Sequence, residues 1–191
     1  MIAACLQLGY PIDNYLDPNH PLQVQIKALV AEVCHIPVEA LVMATDGCSL
    51  PTFGATLRDF ARSYAELAQP TMHQAALNRL REAMIEVPEN VSAQHSLVTD
   101  LMRVGNGRIV AKSGAEGLIC FGLPEQGLGI AVRVLDGSFR AHPVIVAQVL
   151  KDLGVLSNAE LDQLIPEDDI VIFNHNRRRV GRRQAAFSLT F

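Results

Sequence analysis

Apolar positions in the first hundred residues recur with the period of an α-helix. The opening stretch MIAACLQL is helical in composition, and the loop GYPIDNYLDPNHP follows it. Pro21 suits the first position of the next helix, which Asn19 or His20 can cap. The spacing predicts that helix over residues 22–33 and further helices over 57–67, about 71–87 and 95–104.

The apolar pattern then shortens to runs rich in Val and Ile. GRIVAKSGA, GLICFGLP and GLGIAVRVLDG are separated by Gly and Pro, which predicts an antiparallel meander of three strands. RAHPVIVAQVLKDLG and SNAELDQLI return to a helical pattern, the second with a Ser-x-x-Glu capping box. DIVIFNHNRRRVGRRQAAFSL predicts a final hairpin. Helices followed by a meander, helices and a hairpin indicate the α+β class.

Composition narrows this picture without assigning a function. The chain has 191 residues, 49% hydrophobic and 19% charged, which is typical of a globular domain and excludes wholesale disorder. A net charge of -4 gives no general reason to expect nucleic-acid binding, and no apolar run spans a bilayer. The start lacks the basic region and cleavage site of a secretory signal, so we expect a cytoplasmic protein.

A lysine interrupts the first strand of the predicted meander. Lys112, Ser113 and Gly114 form a K-[ST]-G tripeptide, which in serine acyl-transferases of the β-lactamase type lines the active site. A lysine there supplies positive potential or a base, the hydroxyl binds a substrate carboxylate, and the glycine lets substrate approach the backbone. The alternative is that Lys112 is a solvated charge at the sheet edge. When only the tripeptide is considered, this alternative is favoured. Glu116 is a candidate partner for Lys112 or a turn residue.

A second candidate lies in TDGCSLPTFG. Asp46, Gly47 and Cys48 are predicted on a loop between a strand-like run and a helix, where the thiol is a metal ligand or a nucleophile. The alternative is a small thiol buried under the following helix. The four cysteines have no regular spacing, which favours reduced thiols over disulfides, and the six histidines show no metal-ligand spacing.

One dense basic cluster lies in the final hairpin. Arg177, Arg178, Arg179, Arg182 and Arg183 have no aromatic residues between them. A solvated surface is therefore favoured over a nucleic-acid interface.

Four stretches occur in an order that resembles the L-asparaginase II family of the Rhizobium type: YLDPNHPLQ, DGCSLPTFGATLRDFARSYAELA, VTDLMRVGNGRIVAKSGAEGLICFGLPEQGLGIAVRVLDG and NHNRRRVG. The resemblance implies hydrolysis of asparagine to aspartate and ammonia through a serine acyl-enzyme. It also implies a fold similar to that of β-lactamases and serine-type glutaminases. A zinc ion would be held by two cysteines and a lysine. Cys48 corresponds to a zinc ligand, Asp46 to its support and Lys112 to the catalytic lysine. The implied fold suits the K-[ST]-G hypothesis, in which Ser113 and Gly114 bind substrate.

The chain also departs from the family pattern. The family segment CSGKHA, which supplies the other zinc cysteine and the zinc lysine, aligns immediately before Met1, and the serine nucleophile aligns further upstream. The resemblance therefore implies one domain over residues 1–191, truncated at its N-terminus, with a helical part at about 1–104 and the sheet and C-terminal helices at about 105–191. Zinc is then not held stably by this chain alone.

Two functions stay open at this point. One is an asparaginase-type amidohydrolase acting on a small amino-acid amide, with neither a nucleic-acid nor a membrane partner. The chain would then be completed by an N-terminal part or paired as a homodimer. The other is an inactive remnant that binds a small molecule or a partner. Asparagine and glutamine differ by one methylene and are not distinguished by the sequence. The enzyme hypothesis requires Lys112 and Cys48 to face one cleft.

Overall fold

A computed structural model describes residues 1–190, apart from the side chains of residues 168 and 169. The chain combines helices with short antiparallel sheets, which confirms the α+β class. No helix within the described residues is long and apolar enough to cross a membrane. The helices are α1 (Ile2–Leu8), α2 (Pro21–Cys34), α3 (Leu57–Ala68), α4 (Gln74–Glu86), α5 (Leu97–Gly105), α6 (His142–Asp152), α7 (Asn158–Leu164) and α8 (Glu167–Ile170).

Within residues 1–190 the strands form three separate antiparallel sheets. The central one has the order β3-β4-β5 and is the predicted meander, whereas β1-β2 and β6-β7 are isolated hairpins. In the meander, Lys112 lies opposite Cys120, and Cys120 lies opposite Ala131. The strands are β1 (Val42–Thr45), β2 (Pro51–Gly54), β3 (Val110–Ser113), β4 (Leu118–Leu123), β5 (Leu128–Arg133), β6 (Val171–Phe173) and β7 (Arg179–Arg182).

Local sequence signals explain where several helices begin. His20 caps α2, with Pro21 at its first position, because its Nδ1 accepts a hydrogen bond from Leu22 N at 3.1 Å. The predicted capping box at α7 is present, since Ser157 and Glu160 each bond the other's backbone N–H. The helix predicted from about residue 71 begins only at Gln74, after His73 adopts a left-handed backbone conformation.

The main correction concerns residues 42–54. The sequence predicted a strand-like run, a loop and then a helix, but the chain forms the complete β1-β2 hairpin before α3 begins. β1 is exposed along its whole length, and Val42 is 69% exposed. Apolar residues on an exposed strand give no alternation of buried and solvated positions, so the period-2 signal was missing.

The two faces of the β3-β4-β5 sheet pack against different helices. Side chains alternate between the faces, so Ser113, Ile119 and Phe121 point to one side and Lys112 and Cys120 to the other. The first side belongs to the main hydrophobic core, which includes residues of α5 and α6 such as Leu101, Met102, Val146 and Leu150.

Helix α3 covers the second face at very close range. A Cβ atom added to Gly122 would lie 2.5 Å from the backbone oxygen of Tyr64, and one on Gly129 would collide with the backbone of Ala61 and Ala65. The two glycines therefore allow α3 to lie directly on the strands. Lys112 is on this same face, towards the end of the edge strand β3.

Candidate functional site

Lys112 is exposed on an edge strand, as the solvated alternative required. Its Nζ donates a hydrogen bond to the backbone oxygen of Ser113 at 2.8 Å. A lysine ammonium has three N–H donors, so this bond leaves two for a substrate or for water. Exposure at the sheet edge is compatible both with a protective charge and with a site residue.

Ser113 points to the other side of the sheet. It lines a cavity of about 220 Å³ together with Ser96, Ile119, Phe139 and His142, at the first turns of α5 and α6. The structure therefore separates the Lys112 ammonium and the Ser113 hydroxyl onto opposite faces of β3. What joins the two residues is the Ser113 carbonyl, which holds the Lys112 ammonium.

The turn after Lys112 is built by its own residues. Gly114 N donates to Leu118 O at 2.9 Å, and a Cβ on Gly114 would lie 3.0 Å from the Leu118 side chain. Glu116 occupies a left-handed conformation with φ of 56° and has no ion pair with Lys112 within the described residues. Glu116 is thus a turn residue, and its pairing with Lys112 was a wrong alternative.

Cys48 lies in the loop that joins β1 to β2. Asp46 closes this loop, because its N–H donates to Leu50 O at 2.8 Å and its carbonyl accepts from Ser49 N at 2.9 Å. The Cys48 thiol is exposed and donates to Asp46 Oδ2 at 3.5 Å. The prediction of a loop thiol beside Asp46 is confirmed, and the alternative of a thiol buried under α3 is wrong.

Lys112 and Cys48 each make only a local side-chain bond among residues 1–190. The hairpin that carries Cys48 ends at Gly54, three residues before α3, and α3 covers the face of the sheet on which Lys112 lies. A common cleft for the ammonium and the thiol stays a prediction.

The described residues do not fit a zinc site. A protein zinc site needs three or four donor side chains. No group of three His, Cys, Asp or Glu side chains that could hold a metal ion occurs in the described part of the chain. The thiol of Cys48 and the carboxylate of Asp46 provide two donors at most.

The other cysteines are buried and free. Burial raises the pKa of the Cys120 thiol to about 12, with a smaller contribution from Cys34. Burial likewise raises the pKa of the Cys34 thiol. These two groups are poor nucleophiles at neutral pH because they stay protonated. Among the described cysteines, Cys48 is the one that solvent and substrate can reach.

His142 is a buried residue that no motif in the sequence indicated. The side chain is 2% exposed, and its Nε2 donates to the backbone oxygen of Gly117 at 2.8 Å. That bond ties the start of α6 to the turn that follows Lys112. The same Gly117 oxygen also accepts a hydrogen bond from Val134 N. Only the His-Pro step, with Pro143 near the helix start, marked this position in the sequence.

The arginine cluster lies on the β6-β7 hairpin and in the segments beside it. Arg177, Arg178, Arg179 and Arg182 are exposed, and Arg183 is half-buried with Nη1 donating to Arg140 O at 3.2 Å. The hairpin prediction is confirmed, and the placement agrees with a solvated surface.

Comparison with known proteins identifies the family. The family model described as L-asparaginase II matches residues 1–185 of this chain. No curated protein sequence matches it. The match includes the hairpin with Asp46 and Cys48, the meander with Lys112 and the helices on both faces of its sheet. Because it covers nearly the whole sequence, this chain belongs to the L-asparaginase II family.

Proposed function

We propose that this chain forms part of an enzyme that hydrolyses the side-chain amide of asparagine, giving aspartate and ammonia. The observation that carries the proposal is the family match over residues 1–185, which includes both candidate motifs. Lys112 and Cys48 support it further, because each presents a reactive group to solvent rather than to the core. The β-lactamase-like arrangement of the fold is part of the same proposal.

Lys112 is the proposed catalytic residue. Amide hydrolysis needs a proton taken from the nucleophile and one given to the leaving nitrogen, and an amine at the substrate serves this purpose. The bond to the Ser113 carbonyl fixes the direction of the Lys112 ammonium without neutralising it. Ser113 thus contributes its backbone oxygen, and Gly114 completes the tight turn that follows.

The serine nucleophile is not assigned to a residue of this chain. The sequence contains neither a CSGKH segment nor a Ser-x-x-Lys tetrapeptide. In this proposal a further segment, in the same polypeptide or in a separate one, supplies the nucleophile and the other zinc ligands. Cys48 would contribute one thiolate to that shared zinc, with Asp46 beside it. The donors among the described residues are too few to hold the ion by themselves.

The alternative function is a module that binds a small molecule or a partner without turnover. The local bonding of Lys112 and Cys48 supports it, since within residues 1–190 the Lys112 ammonium bonds only the adjacent Ser113 carbonyl and the Cys48 thiol bonds only Asp46. Electrostatic groups without a nucleophile supply only part of the lowering of a reaction barrier.

Product binding by the 191-residue chain separates the two functions. We expect weak binding of aspartate, measured by NMR titration, that Lys112→Ala abolishes and Lys151→Ala leaves unchanged. Lys151 is the matched control because it is an exposed lysine on α6. Aspartate binding that is unchanged in Lys112→Ala would favour the binding module and contradict the proposed catalytic role of Lys112.

Measurements of turnover and metal content test whether the 191 residues contain a nucleophile and enough zinc ligands. We expect no ammonia release from asparagine by the chain alone, with or without added zinc, and much less than one zinc per chain by metal analysis. The coding DNA upstream of Met1 is the direct place to look for an in-frame CSGKH segment. Zinc-dependent turnover by the 191 residues would show that nucleophile and ligands are present after all.

A further inference from the structure

The cavity at the first turns of α5 and α6 has features of a ligand site. We propose that it binds a small neutral molecule with an apolar body and one primary amide group. This inference does not rest on the proposed function, because the cavity lies on the face of the β3-β4-β5 sheet opposite Lys112.

Two polar groups of the cavity have capacity to spare. His142 Nε2 carries a hydrogen, because its partner, the Gly117 carbonyl, only accepts. In the neutral ring Nδ1 is then an acceptor, and it bonds no other described residue. The Ser113 hydroxyl also bonds no described side chain or backbone group, whereas the Ser96 hydroxyl is already used to cap α5. The cavity therefore offers one acceptor and one hydroxyl.

The remaining wall is apolar. Leu97, Val98 and Ile119 belong to the helix and strand walls, and the ring of Phe139 lies edge-on to His142, with ring centroids 5.5 Å apart. No Asp, Glu, Lys or Arg side chain of the described residues lines the cavity. A charged ligand would lose its hydration without gaining an opposite charge, so a neutral ligand is favoured.

The polar pair matches a primary amide. The amide nitrogen is a donor for an imidazole acceptor, and the amide oxygen accepts from a serine hydroxyl. A volume of about 220 Å³ is below the usual range for drug-sized ligands, which limits the occupant to roughly ten non-hydrogen atoms. Benzamide meets both conditions, and its ring suits the apolar wall.

Three probes with a phenyl ring test the chemistry in the intact chain. Benzamide and benzoate have the same shape and differ in carrying an amide or a charge, and toluene carries neither group on the ring. In ligand-observed NMR titrations we expect benzamide to bind more tightly than the other two. Toluene binding as tightly as benzamide would remove the role of the polar pair, and preferred binding of benzoate would overturn the neutral-ligand assignment.

Two serine variants place the ligand. Ser113→Ala removes the free hydroxyl, so benzamide should bind about 3- to 10-fold more weakly. Ser188→Ala is the control, because Ser188 is exposed in the C-terminal segment, and it should leave binding unchanged. Circular dichroism would check that both variants fold. Equal affinity in wild type and Ser113→Ala would reject this cavity as the site, and so would displacement of benzamide by asparagine.

Discussion

The two candidate motifs lie in regions of very different construction. The loop with Cys48 joins two strands of an isolated hairpin whose first strand is exposed throughout. Lys112 is on a sheet with α3 on one face and the main core on the other. The rest of the structure therefore supports the Lys112 motif more than the Cys48 motif.

This difference bears on how each group can act. The backbone around Lys112 is fixed by packing from both sides, and buried residues Val110 and Ala111 precede it directly. The Cys48 loop is held by its own turn bonds through Asp46. A site that needs both groups in a fixed geometry requires the hairpin to gain contacts that the described residues do not provide.

The largest expected contrast comes from two phenylalanines. Phe121 on β4 is completely buried, so Phe121→Ala should lower the free energy of unfolding by about 3–5 kcal/mol. Phe53 on β2 is only half-buried, so Phe53→Ala should cost about 1 kcal/mol. Urea unfolding followed by circular dichroism measures both. Equal losses would mean that the hairpin is as well packed as the meander.

Two glycines test the same comparison by adding a single methyl group. Gly129→Ala places a Cβ against the backbone of α3, which cannot shift without disturbing its packing. The free energy of unfolding should therefore fall by about 2–3 kcal/mol. Gly54→Ala meets only Val42 at ordinary contact distance, 3.6 Å, and should change stability by about 0.5 kcal/mol or less. The same urea measurement applies. A harmless Gly129→Ala would show that α3 lies further from β5.

Thiol reactivity compares the two regions without altering the packing. Cys48 is exposed, and we expect it to react with a disulfide reagent at least about 100-fold faster than Cys5, Cys34 and Cys120. Cys120 on β4 is protected twice, by burial and by a pKa raised to about 12. Mass spectrometry after short labelling at pH 7.5 identifies the modified residue. Several fast thiols in the folded chain would contradict the assigned burial.

The sequence predicted the elements whose signals are local. The meander follows from Val- and Ile-rich runs between glycines, and α7 from its Ser157-Glu160 capping box. The β1-β2 hairpin was missed because β1 is exposed along its whole length and shows no alternation of burial. The close approach of α3 also escaped prediction, because glycine in a strand indicates a near neighbour without naming it.

The sequence indicated candidate site residues but not their geometry. The motif strings indicated Lys112, Cys48 and Asp46, and the structure places the last two in contact. Ser113 was grouped with Lys112 through the K-[ST]-G tripeptide, although adjacent strand residues face opposite ways. The role of His142 depends on a bond to Gly117, 25 residues away, which no local pattern reports.

The smallest expected effect is an acid-dependent loosening on the meander side. Hydrogen bonds from the Ser157 backbone and hydroxyl, and then from Arg108, lower the pKa of Glu160 to about 2 from its ordinary 4.5. A carboxyl whose pKa is lowered by folding stabilises the fold above pH 4.5 and loses that contribution as the pH falls towards 2. Arg108 also donates to the Val155 carbonyl and to the Gly105 carbonyl at the end of α5, so protonation of Glu160 weakens the attachment of α7 to α5.

Ser157→Ala removes the hydroxyl bond and should move the pKa of Glu160 back towards 4.5, which makes stability less dependent on pH between 4.5 and 2. Carboxyl NMR titration measures the pKa directly, and urea unfolding at several pH values measures the stability. Thr56→Ala is the matched control on the hairpin side, because Thr56 caps α3 and its bond to Asp59 lowers the pKa of that carboxyl. It should shift Asp59 and leave Glu160 unchanged. A wild-type Glu160 that titrates near 4.5 would show that the cap and the Arg108 pair do not form in solution.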